Sequence, residues 1–174
     1  MGLCQDTELV VRSAMCDALG RIALAVGPAL ACERPLNEWL ELTSDEHPEV
    51  RAAAFGCGVT MLDACDVHHC RETLEPATRR TVASCVDVVV DGGGGDGSHE
   101  LLLSRVAERL PALLDALSSC GYFDAPARDE HAAPNGSSIY ERLVLCLARG
   151  TVSAELRAAG AQALPALAAA LARA

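Results

Sequence analysis

The chain has 174 residues, of which 51% are apolar but only 3% aromatic, and its formal charge at pH 7 is −10. A negative charge of this size repels phosphate backbones and anionic lipid headgroups, so it disfavours nucleic-acid and membrane-surface roles and leaves protein partners as the expectation. The sequence contains no run of about 18 apolar residues and no basic start followed by an apolar stretch, so neither a membrane span nor a signal peptide is predicted.

Nine cysteines are present, an odd number without the regular spacing of a disulfide framework. Thiols in a reducing compartment fit this pattern best, and we therefore expect the chain in the cytoplasm or also in the nucleus. On a helix, cysteine behaves as a small apolar residue, so most of the nine are expected on packed faces.

A repeated segment organises the first half of the chain. The residues from Asp6 to Ala14 align without gaps with those from Asp45 to Ala53 after a shift of 39 residues. A period of roughly 40 residues is typical of solenoids built from helix pairs. The predicted fold is therefore all-α, an α-solenoid of antiparallel helix pairs with about three and a half repeats.

Each copy of the repeat reads as a polar turn that leads into a helix. Ser44 and Asp45 are expected to cap the second helix by accepting its free amide protons, and Pro48 suits the first helical turn. The shift aligns Arg12 with Arg51. We expect each arginine to pair with an acidic turn residue of the following repeat.

Apolar periodicity predicts helices at about 7–26, 35–42, 48–65, 73–90, 99–119, 138–148 and 152–171. The predicted buried stripe of the first helix consists of Leu9, Val11, Met15, Ala18, Leu19, Ile22 and Val26. Pro111 and Pro165 fall inside helices and predict kinks. We interpret the chain, 1–174, as a single domain with flexible insertions at 91–98 and 120–137, which explain the longer spacing of the later repeats.

One segment is a candidate for metal binding or catalysis, namely Cys65-Asp66-Val67-His68-His69-Cys70. Cys65 and His69 would share a helical face, but two or three ligands are fewer than a structural zinc site needs. A cysteine–histidine nucleophile would lack an orienting group and an oxyanion hole. We therefore interpret the segment as a polar turn and predict no metal site, no cofactor, no catalytic residue and no enzyme activity.

The repeated turns resemble a known family. Two segments resemble HEAT repeats, which are armadillo-like α-solenoids. In the first, Val11-Arg12 comes after Leu3-Cys4-Gln5-Asp6, and in the second, Val50-Arg51 comes after Leu42-Thr43-Ser44-Asp45-Glu46. The resemblance covers residues 3 to 65. These segments are similar to consecutive repeats in the scaffold A subunit of protein phosphatase 2A and in the HEAT regulatory subunit of protein phosphatase 4. It implies a non-catalytic, protein-binding scaffold that regulates a serine/threonine phosphatase, with the catalytic subunit as partner. The alternative is a HEAT-type adaptor in transport or complex assembly that is unrelated to phosphatases.

In that family, partners dock on the turns between the two helices of each repeat. Carried over by position, the partner-binding residues are Asp6, Glu8, Asp45, Glu46 and His47, although capping and solvation are the simpler interpretation of all five. Trp39 is the only tryptophan. It is either an interface anchor or, more commonly for such a residue, a packing residue between helices.

Overall fold

The structure, a computed structural model, describes residues 3–90, 97–122, 138–149 and 153–172. Within these ranges all regular secondary structure is helical, which agrees with the predicted all-α class. The chain divides into two compact units, 1–78 and 79–174. The single solenoid, the repeat number and the antiparallel pairing stay predictions.

The first unit begins with a 3-10 turn (Leu3–Gln5) and continues through α1 (Leu9–Val26), α2 (Pro28–Ala31), α3 (Arg34–Leu42), α4 (Pro48–Ala64), α5 (Val67–His69), a π-helical turn (Cys70–Leu74) and the start of α6 (Glu75–Val90). The second unit contains the rest of α6 with α7 (Gly97–Ser119), α8 (Ile139–Arg149) and α9 (Ala154–Leu171). All seven predicted helices occur. The sequence pattern missed only the short α2 and α5, which are too short to show a period.

The two long helices of the first unit, α1 and α4, pack against each other. The Sγ atom of Cys16 lies 3.9 Å from the carbonyl oxygen of Val50. One turn further along α1, a Cβ atom built on Gly20 would lie 3.4 Å from Thr60. Because the contacts advance in the same direction along both helices, α1 and α4 run parallel.

The buried face of α1 differs from the predicted stripe. It consists of Arg12, Cys16, Leu19, Gly20 and Ala23. Ile22 and Val26, which were predicted to be buried, are 43% and 40% exposed. The small residues of the observed face let α1 approach α4 closely, and larger side chains there would hold the helices apart. Periodicity alone therefore placed the stripe about one residue away from its true position.

Trp39 packs between α3 and α4 and is only 1% exposed. Its indole Nε1 donates a 2.7 Å hydrogen bond to the carbonyl oxygen of Ala54. Its ring lies against Gly58, where a Cβ atom would come within 2.6 Å of Cζ2. This burial favours the second of the two interpretations of Trp39, a packing residue between helices, because almost none of its side chain is exposed to a partner.

In the second unit, α9 packs against both α7 and α8. The core of these three helices is mainly leucine: Leu110, Leu113, Leu114, Leu117, Leu143 and Leu147. Pro111 lies inside α7 and Pro165 inside α9, as the sequence predicts, while the kinks themselves stay predictions.

The first predicted insertion ends earlier than expected, because α7 already begins at Gly97. The remainder of that insertion, 91–96, lies outside the described residues, as does 123–137 of the second. The first three residues of the second insertion, 120–122, are described, and they end α7. Gly121 has a φ of 66°, and the amide of Tyr122 donates to the carbonyl oxygen of Leu117 at 3.0 Å. This is the glycine-dependent helix end known as the Schellman motif.

Candidate functional site

The predicted binding residues lie in the two turns that precede α1 and α4, residues 5–8 and 44–47, which we call the turn ridge. Glu8 and Glu46 are exposed, and the side chain of Glu46 reaches 82%. His47 is 39% exposed at its side chain and Asp6 is half-buried. Asp45 differs from them, because only 10% of its side chain is exposed.

Asp45 is held by Arg12 of the preceding copy of the repeat. The Nε and Nη2 atoms of Arg12 donate to Oδ2 and Oδ1 of Asp45 at 2.7 and 3.1 Å, which makes the pair bidentate. Nη2 of Arg12 also lies 3.0 Å from Nδ1 of His47. These hydrogen bonds from Arg12 hold the pKa of the Asp45 carboxyl below its ordinary value. The predicted pairing of Arg12 with the next turn is confirmed.

The arginines also repeat a second contact. Nη1 of Arg12 donates to the carbonyl oxygens of the residues six and five positions before it, at 2.7 and 3.2 Å. Nη1 of Arg51 donates to the corresponding two carbonyl oxygens at 2.8 and 2.9 Å. The two copies of the repeat, 39 residues apart in the sequence, therefore make the same hydrogen bonds between arginine and backbone. Among the described residues Arg51 has no acidic partner, so its pairing stays a prediction.

The predicted helix caps are wrong. The residue at the N-terminal cap of α4 is His47, and neither it nor Glu8, at the start of α1, caps with its side chain. Asp45 accepts a hydrogen bond from the amide of His47 at 2.9 Å, and Asp6 accepts one from the amide of Glu8 at the same distance. Both carboxylates thus order the turn before the helix, and Ser44 takes no part in capping.

A polar cleft of about 390 Å³ opens between the two turns of the ridge. The polar residues that line it are mainly acidic: Gln5, Asp6, Glu41, Asp45, Glu46 and Arg12. Gln5 donates to Glu41 across the cleft at 3.1 Å. Since Arg12 compensates only one of the four carboxylates, the cleft favours a positively charged group.

An apolar groove of about 280 Å³ lies elsewhere on this unit, between α1 and α3. Met15, Leu19 and Ile22 contribute one wall, and Pro35 contributes to the other. Ile22 is therefore a groove residue and not the core residue that the sequence predicts.

The Arg12–Asp45 pair predicts a specific dependence of stability on pH. Because the folded-state pKa of Asp45 is lowered, the pair contributes its full stabilisation above the unfolded pKa, about 3.9, and loses it as the pH falls towards the folded pKa. We expect Asp45→Asn to lower the free energy of unfolding at pH 7, and the difference from wild type to shrink below about pH 4. Urea unfolding between neutral pH and pH 3 measures this difference. A difference that is constant or grows at acid pH would contradict the assignment.

All nine cysteines lie in the described part of the chain, and none forms a disulfide. Burial raises the pKa of Cys16, Cys57 and Cys85 to about 12. These thiols therefore stay protonated at neutral pH and are poor nucleophiles.

The segment 65–70, the candidate for metal binding, does not bring its side chains together in one place in the structure. Cys70 is buried, with its Sγ 3.3 Å from the carbonyl oxygen of Leu62. His69 instead faces Asp66, and Asp66 is also reached by Cys32 from the turn after α2. Cys32 could not be predicted as a member of this group, because nothing in the sequence links it to a turn more than thirty residues away.

No helix in the described ranges combines the length and apolar character that a membrane span requires. No family model and no solved structure matches the chain. The chain is 43% identical over 77 residues to the mouse serine/threonine-protein phosphatase 4 regulatory subunit 4, and 42% identical over 77 residues to the human protein. The match covers 44% of this chain but only 9% of each relative. Over this part of its length the chain is thus related to a phosphatase regulatory subunit, whereas the HEAT assignment and the likeness to the A subunit of protein phosphatase 2A stay predictions.

Proposed function

We propose that the chain is a non-catalytic scaffold of the HEAT type that binds the catalytic subunit of a serine/threonine phosphatase, as a regulatory or scaffold subunit or as a segment of one. The observation that carries this proposal is the 43% identity over 77 residues to a protein whose name describes a regulatory subunit of protein phosphatase 4. The repeated hydrogen bonds of Arg12 and Arg51 support the HEAT assignment, because they tie each helix to its preceding turn in the same way.

Such a scaffold makes and breaks no covalent bond itself. It holds the catalytic subunit and a substrate in one assembly, and this raises their effective concentration and fixes their relative geometry. The structural requirement is a rigid surface that the partner recognises. The parallel packing of α1 and α4, with two turns held in register by the Arg12–Asp45 pair, supports that requirement.

The turn ridge is the surface that we assign to the partner. Glu8, Glu46 and His47 project from it, and the polar cleft beside them has an excess of carboxylates. A partner with lysine or arginine side chains at its contact surface fits this charge. Attraction between the two surfaces would speed association and weaken as salt rises. Asp45 has a different role, since its carboxylate is paired with Arg12 and thereby positions the second turn.

The cytoplasm or the nucleus is the proposed location. Nine cysteines without a disulfide suit a reducing compartment, and both candidate locations provide one.

The experiment that tests the ridge is a binding measurement between the purified chain and the purified phosphatase 4 catalytic subunit. Glu8→Lys/Glu46→Lys reverses two exposed charges of the ridge. Asp17→Lys/Asp63→Lys makes the same charge change at exposed positions within α1 and α4. We expect the affinity of the ridge variant for the catalytic subunit to fall by about tenfold or more, mostly because association is slower. The control variant should bind nearly as the wild type does.

Circular dichroism should show unchanged helicity in both variants, because neither alters a buried group. Equal weakening by the two variants would mean that net charge alone matters and that the ridge is not the contact surface. Failure of the wild-type chain to bind the catalytic subunit would reject the phosphatase proposal and favour the adaptor in transport or assembly.

A further inference from the structure

Three side chains with metal-binding atoms converge in the first unit. Cys32 lies in the turn between α2 and α3, Asp66 is the N-terminal cap of α5, and His69 is the last residue of α5. One ligand atom of each residue lies within 4.8 Å of the other two. The cluster has no part in the turn ridge, and it stands independently of the proposed function.

We propose that Cys32, Asp66 and His69 form a zinc site. A thiolate, a carboxylate and an imidazole are all ligands that Zn²⁺ accepts, and the thiolate favours zinc over Mg²⁺ or Ca²⁺. The sequence pattern does not indicate this group, because Cys32 is far along the chain from the other two residues, in the turn between α2 and α3.

The two distances to the shared oxygen of Asp66 fit zinc with a small adjustment, while the thiol and the imidazole lie within 4.8 Å of each other and must move closer together. The Sγ of Cys32 is 3.7 Å from Oδ2 of Asp66, and Nδ1 of His69 is 2.8 Å from the same oxygen. Tetrahedral zinc with ordinary bond lengths separates such ligand atoms by roughly 3.4–3.6 Å. The first distance therefore needs almost no change, and the second must lengthen by roughly half an ångström as the ion takes the place of the hydrogen bond.

Asp66 is already fixed in the orientation that the site requires. Its Oδ1 accepts a hydrogen bond from the backbone amide of His69 at 2.9 Å, as an N-terminal helix cap. This bond directs Oδ2 towards both the thiol and the ring. When the ion binds, the proton of Cys32 leaves to solvent, and a proton on Nδ1 of His69 moves to Nε2 through solvent, so that three lone pairs face the metal.

The site is open to solvent. The side chains of Asp66 and His69 are 46% and 38% exposed, and Cys32 is half-buried. An ion can therefore enter from solution, and a water molecule completes the coordination. The ion would tie the turn after α2 to α5. Because zinc bound only by the folded state raises the free energy of unfolding, binding should also raise the melting temperature.

The test uses the full 174-residue chain, reduced and freed of metal. Zn²⁺ alone is titrated by calorimetry, and Co²⁺ is titrated in parallel because a thiolate ligand gives cobalt a charge-transfer absorption band. We expect one zinc ion per chain. Cys32→Ser, Asp66→Asn and His69→Gln should each weaken binding by at least ~10–100-fold, the range known for lost outer-shell partners. Cys32→Ser should also remove the cobalt band.

Matched controls separate this site from the other thiols and imidazoles. His68→Gln changes the neighbouring exposed histidine, and Cys146→Ser removes another half-buried cysteine. Both should bind zinc as the wild type does. Asp66→Asn retains a side chain that can cap α5, so its loss of binding would not reflect a lost helix start.

Three results would overturn the proposal. The first is a wild-type chain that takes up no zinc in the presence of excess metal. The second is unchanged binding in Cys32→Ser. The third is an equal loss of binding in His68→Gln or Cys146→Ser, which would place the metal on other residues.

Discussion

Trp39→Ala is expected to destabilise the first unit by about 3–5 kcal/mol, the range for a large aromatic residue removed from a core. The side chain is 1% exposed and fills the space between α3 and α4. Truncation would leave a cavity there and would also remove the donor that bonds to the carbonyl oxygen of Ala54. Since a whole domain is stable by only about 5–15 kcal/mol, a large part of the margin would be lost. Urea unfolding followed by circular dichroism measures the change.

Two further variants separate the packing of Trp39 from its hydrogen bond. Trp39→Phe keeps most of the apolar volume but cannot donate to Ala54, so it should cost less, about 1–3 kcal/mol. Gly58→Ala places a methyl group against the indole ring, 2.6 Å from Cζ2 in the unrelaxed structure. It should therefore also destabilise, by up to about 2 kcal/mol, the strain of overpacking less the gain in helix propensity.

The double variant Trp39→Phe/Gly58→Ala provides the internal check. The smaller ring does not reach as far as Cζ2, so the two losses should be less than additive. Full additivity would show that the ring and the glycine are not in contact in solution. A Trp39→Ala variant as stable as the wild type would contradict the buried position of the side chain.

Much of the local structure follows from the sequence. The seven helices occur where apolar periodicity predicts them, because a period of 3.6 residues sustained over two or more turns is a strong signal. The pairing of Arg12 with the next turn was also predictable. A charged residue recurring in an apolar helix needs a partner, and the repeat supplies an acidic turn at the right distance.

Other features could not be predicted, because they depend on which faces of the helices meet. The buried face of α1 includes an arginine and excludes Ile22 and Val26. The role of Asp45 depends on the same contact. From the sequence it resembles Glu46 as an exposed ridge carboxylate, and only the structure separates a positioning residue from an exposed one.

The second unit contains a close helix contact that the sequence gives no reason to expect. Gly160 lies inside α9, where a glycine normally costs about 1 kcal/mol relative to alanine. Here a Cβ atom would lie 2.6 Å from the Cβ atom of Leu147 and 3.2 Å from the backbone nitrogen of Ala148 on α8. Neither atom is the flexible end of a side chain, so the helices themselves would have to separate. The glycine therefore permits the approach of α8 and α9.

Gly160→Ala should consequently lower the free energy of unfolding by up to about 2 kcal/mol, the strain of overpacking less the gain in helix propensity. Gly20→Ala is the matched control, because Gly20 is also buried inside a helix but its added Cβ atom would meet Thr60 at an ordinary 3.4 Å. That variant should be neutral or gain up to about 1 kcal/mol. Urea unfolding of both variants under the same conditions tests the difference in sign. If Gly160→Ala were as stabilising as Gly20→Ala, helix propensity would outweigh the steric contact, and the close packing of α8 on α9 would not hold in solution.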